Sequence, residues 1–187
     1  GSAGTAVQKV TAADASGDSD VLRIGLNILA AGEGGSNGNL TGTIEADDIE
    51  TLDLLIADNH TTAADTHDLT LTKFKGTSIV AAQHKDSAKD ASIDLNTVYK
   101  TITSIDTSTL KGATTVSATN ATSAVTFNLS GKGAVNATGS EWADTYTITE
   151  SESGVDHTLD GGIGSDTAIY SGNFSNYSFV RDQEDLL

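Results

Sequence analysis

Apolar and polar residues alternate with period two along much of this chain, the repeat of a β-strand that buries one face. Leu22, Ile24, Leu26 and Ile28 alternate with Val21, Arg23, Gly25 and Asn27. Leu52, Leu54 and Ile56 do the same in IETLDLLIAD, where a helix through Ile49, Leu52, Leu55 and Ile56 is the alternative. Residues 5–20 are polar and small, and residues 31–39 (AGEGGSNGN) form a glycine-rich loop. From Thr61 onward short runs recur: 68–74, 77–82, 91–95, 102–106, 114–119, 124–129, 134–138, 144–149 and 166–172. Gly, Ser, Asn or Asp separates them. Ser92-Ile93-Asp94 returns as Ser104-Ile105-Asp106.

Many short strands at even spacing make a sandwich, a barrel or a β-solenoid. Asn-Gly, the strongest tight-hairpin signal, occurs once, at Asn37-Gly38. Degenerate repetition of small inward residues therefore points to stacked rungs. The expected fold is all-β: a right-handed parallel β-solenoid or β-roll of short rungs, with an irregular β-rich part at its N-terminal side. Residues 5–60 form that part and residues 61–187 the solenoid, which ends in a glycine–aspartate turn. The opening Gly1-Ser2-Ala3-Gly4 is read as a cloning scar, and the parent chain as longer.

Composition sharpens this picture. Thr supplies 27 of the 187 residues against one Trp, four Tyr and four Phe, so the core is thin and layered. The formal charge of −16 argues against nucleic acid and against an anionic membrane as partners. No apolar run has the length of a membrane span. The same excess repels itself on folding, which bound divalent cations would relieve. Keeping a secreted protein soluble is the plainer use of such carboxylates. Cysteine is absent, which excludes disulfides, thiolate metal sites and a Cys nucleophile.

One stretch carries chemistry: Gly161-Gly162-Ile163-Gly164-Ser165-Asp166-Thr167-Ala168-Ile169 fits the nonapeptide G-G-x-G-x-D-x-U-x. Its glycines permit positive φ, which lets carbonyl oxygens turn into the bend. Calcium takes six to eight oxygen ligands, and carbonyls with carboxylates supply them. The candidate ligands here are the backbone of Gly161, Gly162, Ile163 and Gly164, the Asp166 carboxylate and, just before the glycines, Asp160. One bend cannot fill the shell, so a partner is needed. Aligned on the aspartates, residues 139–148 supply it: Gly139 matches Gly161, Asp144 matches Asp166 and Tyr146 takes the apolar position. Asp144 is thus the seventh candidate. The two aspartates stand 22 residues apart, so extra residues must bulge, and residues 150–156 are where that is expected. The alternative is a glycine-rich turn that needs no ion.

With these residues in view, the last third resembles the entry into the RTX calcium-binding β-roll of proteins exported by type I secretion in Gram-negative bacteria. The part before it resembles β-solenoid segments of bacterial surface-layer proteins and giant RTX adhesins. SDVLRIGL, IETLDLLIADN, TITSIDTSTLKGATTVSATNATSAVTF and TGSEWADTYTI leading to LDGGIGSDTAIYSGNFSNYSF carry the likeness. It implies a secreted or cell-surface location, Ca2+ as the bound ion, and self-association in an extracellular lattice. A cell-surface polysaccharide is the partner implied by an adhesin, and neither implies membrane insertion.

Other residues have plainer expectations. Asp14, Asp18 and Asp20 fail the EF-hand spacing and are read as solvated surface. Asp47, Asp48, Asp58, Asp86 and Asp90 are expected as exposed loop charges, and His60, His67, His84 and His157 as loop histidines. Trp142 is expected to cap or pack a rung. No HExxH, GxSxG or phosphate-loop motif occurs, so no enzyme activity is expected. The leading expectation is a structural calcium-binding segment of a surface-layer protein. A binding module of an adhesin is the second, and a non-catalytic module of a polysaccharide-active enzyme the third.

Overall fold

The computed structural model of the chain describes residues 6–11, 17, 19–28, 40–59, 66–149 and 152–178. The residues read as a scar, the loop at 31–39, and Asp14, Asp18 and His60 lie outside the described residues. Among the described residues fourteen strands follow one another: β1 (Ala6–Thr11), β2 (Val21–Ile28), β3 (Leu40–Asp47), β4 (Thr51–Asp58), β5 (Thr66–Phe74), β6 (Ser78–Gln83), β7 (Ser92–Thr97), β8 (Ser104–Thr107), β9 (Thr114–Ser117), β10 (Thr126–Ser130), β11 (Val135–Thr138), β12 (Thr145–Thr149), β13 (His157–Asp160) and β14 (Thr167–Tyr170).

Odd-numbered strands make one seven-stranded sheet, in chain order, and even-numbered strands make the other. Every pairing between these strands is parallel. Parallel neighbours cannot be joined by a two-residue hairpin. The chain therefore crosses to the opposite sheet after each strand and returns one level further on. The result is a parallel β-solenoid. Strands on both sides of residue 60 share the same two sheets, since β2 pairs β4, β4 pairs β6 and β3 pairs β5.

Parallel stacking in register turns alternation along a strand into files of side chains down the core. Leu22, Leu52, Ile79, Ile105, Phe127, Tyr146 and Ala168 form one file on the even sheet. The Phe127 and Tyr146 rings lie 4.5 Å apart and 5° from parallel, close to the strand spacing itself. Leu52, Leu54 and Ile56 of β4 are all fully buried, so the strand reading of this segment holds and the helical alternative does not. β1 and β3 fall where no individual strand was expected.

Two expectations about polar residues are corrected. His67 is fully buried on β5 and His157 half-buried on β13; both occupy one file of the odd sheet, with Ile93, Thr114 and Val135 between them. They sit on strands because the alternation that buries Ile93 buries the residue paired with it. His84 alone of the described histidines lies in a loop. Asp58 is not a loop charge: it ends β4 fully buried, its N–H donating to Ser87 Oγ (2.8 Å) and its carbonyl accepting the Lys89 N–H (3.0 Å).

Candidate metal centre

The chain crosses from odd to even sheet through bends 139–144, after β11, and 161–166, after β13. β13 lies on β11 and β14 on β12 in register, so the two bends stack directly. Tyr146 pairs with Ala168, and Asp144 and Asp166 each precede a stacked threonine, Thr145 and Thr167. The 22-residue period does not offset the bends, because the longer connection, of which residues 152–156 are described, lies at the opposite corner. Gly162 and Gly164 have φ of +79° and +138°, and a Cβ on either would press on the Ser140 or Trp142 carbonyl below. Glycine is required there both by conformation and by the closeness of the neighbouring coil.

The seven candidate ligands separate into two environments. The Asp144 carboxylate is 1% exposed. Its Oδ1 accepts the Val125 N–H (2.7 Å) and its Oδ2 the Ser140 N–H (2.6 Å), while the Ser140 hydroxyl lies 3.1 and 3.0 Å from the two oxygens. Both oxygens of Asp144 are thus engaged by protein donors. Asp160 and Asp166 are exposed. Asp160 Oδ1 accepts the Gly162 N–H (3.0 Å) and Asp166 Oδ1 the Asp144 N–H (2.8 Å). Each keeps a second oxygen that accepts no hydrogen bond among the described residues. With the backbone oxygens of residues 161–164 they would supply only oxygen donors, the kind a hard cation such as calcium prefers. Among the described residues there is no group of three or more His, Asp or Glu side chains able to hold a metal, so backbone oxygens are indispensable to any site here.

Tyr146 was read from the sequence only as a core position. Its ring is buried, yet its hydroxyl donates to the Asp160 carbonyl (3.0 Å), tying the core to the bend. Burial, and then the charges of Asp144, Asp166 and Asp160, hold the phenol far above its ordinary pKa, so it stays protonated as the donor. Trp142 is half-exposed at the tip of the lower bend, with its carbonyl under Gly164. Compared with family models, with curated proteins and with solved structures, the chain matches none.

Proposed function

We propose that this chain is a structural segment of a secreted bacterial surface-layer protein whose last coil is stabilised by calcium outside the cell. The observation that carries the reading is the 161–166 bend itself: glycines at positive φ and two surface carboxylates, stacked in register at the end of a parallel solenoid. Asp160, Asp166 and the backbone oxygens between them would hold the ion, which supplies positive charge to a chain of formal charge −16. Extracellular-type sites fill at about millimolar calcium, a level reached outside the cell. Binding to the folded state alone stabilises it by mass action, about 2.7 kcal/mol at a hundredfold excess over Kd.

Thermal melting with calcium and with EDTA tests this. Calcium is expected to raise the melting temperature of the parent chain. Asp166→Asn, which keeps an oxygen to accept the Asp144 N–H, should lose most of that increment and melt almost unchanged in EDTA. An increment that survives intact in Asp166→Asn sinks the reading. A binding module is the second reading. It rests on a surface groove of about 390 Å3 lined by Val98, Tyr99, Lys100 and Asn120, whose ring and polar groups suit a sugar. A lattice segment should assemble on adding calcium, whereas a binding module should stay monomeric.

A further inference from the structure

The two stacked bends differ in what meets their aspartates. In the lower one, three protein donors fill the Asp144 carboxylate: the Val125 N–H from the preceding coil, the Ser140 N–H and the Ser140 hydroxyl. In the upper one, the place of Ser140 is held by Gly162, which has no hydroxyl. The Gly162 N–H is also diverted, because it donates to Asp160. The residue paired with Asp160 in the lower coil is Thr138, which has no carboxylate to divert the Ser140 N–H. Two changes along the chain, Thr138 to Asp160 and Ser140 to Gly162, thus separate a filled carboxylate from one with an oxygen to spare.

A buried carboxylate needs either a cation or several hydrogen-bond donors to offset the loss of water. Charge-assisted bonds from N–H and O–H groups meet that need, and a cation entering the same site would have to displace them. We infer that Ser140 decides which bend takes a cation. Its N–H and hydroxyl stand in for the ion at Asp144 and make the 139–144 bend a metal-independent clasp, which confines cation binding to the 161–166 bend. The clasp spans three coils, since Asp144 accepts from Val125 on one side and donates its own N–H to Asp166 on the other. Only the assignment of the upper bend rests on the calcium reading; the clasp stands without it.

The experiment uses the whole 187-residue chain, melted in EDTA and in calcium, with calcium stoichiometry by titration calorimetry. Asp144→Asn should melt roughly 4–10 °C lower in EDTA, the effect of weakening a charged hydrogen-bond cluster, and bind as many calcium ions as the parent. The double variant Thr138→Asp/Ser140→Gly should bind one more. Loss of a calcium equivalent in Asp144→Asn, or no gain in the double variant of a calcium-binding parent, overturns the inference. Should Asp144→Asn fail to fold, Ser140→Ala replaces it, with a smaller drop in EDTA and the same calcium count expected. If the parent binds no calcium, the reading of the upper bend fails. The EDTA melts then decide the clasp, and unchanged melting of both variants removes it.

Discussion

Strands β12 and β14 begin alike, with a threonine after a bend closed by aspartate, and they pair residue for residue. Their fates differ. Tyr146 and Ile148 of β12 are buried, with β10 on one side and β14 on the other. At the matching positions of β14, Ala168 is exposed and Tyr170 half-buried, and the intervening Ile169 is 49% exposed. In a stacked fold each coil draws its stability from its neighbours, so a strand paired on one side has about half the partners of an inner one. A ligand held by the 161–166 bend would therefore act beside a strand that, among the described residues, pairs on one side only. That comparison is open to direct attack by mutation.

The largest effect belongs to the inner file. Phe127→Ala should cost about 3–5 kcal/mol, because it empties a fully buried site beneath the Tyr146 ring. Ile169→Ala, on the last coil, should stay within about 0.5 kcal/mol. Urea unfolding of both measures the ratio, and comparable losses would mean that the last coil is as well supported as the inner ones. Next comes the bend. Gly162→Ala must take φ of +79° and also push against the Ser140 carbonyl, whereas Gly154→Ala meets φ of +82° in open space. Left-handed strain of about 1 kcal/mol is expected at both, with a further loss of similar size at Gly162 only. Equal melting of the two variants would show that the bends do not pack as closely as described.

The smallest effect concerns pH. The His67 Nδ1–H donates to the Ser92 carbonyl (3.0 Å), and Nε2 is buried with no partner among the described residues. Burial holds its pKa below the ordinary histidine value, with the Ser92 bond and the Asp58 charge only partly opposing. The unfolded chain then binds the proton first as pH falls, so stability is present above the unfolded pKa and declines below about 6.5. The slope from this one group is at most about 1.4 kcal/mol per pH unit. His67→Leu should flatten the decline between pH 7 and 5, and an unaltered slope would assign it to other groups.

Strands were legible where large apolar residues alternate. β4, with Leu52, Leu54 and Ile56, and β10, with Phe127 and Leu129, stand out on inspection. β3 did not, because Gly42 and Ala46 share its inward face with Ile44. His67 was misplaced for a related reason, since its burial is set by pairing with Ile93 on another coil. Aligning the bends on their aspartates matched Asp144 with Asp166 and Gly139 with Gly161, the pairing found in the stack. The saturation of Asp144 was beyond reach. It depends on Val125, 19 residues earlier, and on a serine whose hydroxyl could as well have faced water.

The strands shorten along the axis, from eight residues in β2 and β4 to four in β13 and β14. Shorter strands carry fewer ladder hydrogen bonds, with eight paired residues between β2 and β4 and four between β12 and β14. Among the described residues the stack is therefore knit more tightly on its β2–β4 side than on its β12–β14 side.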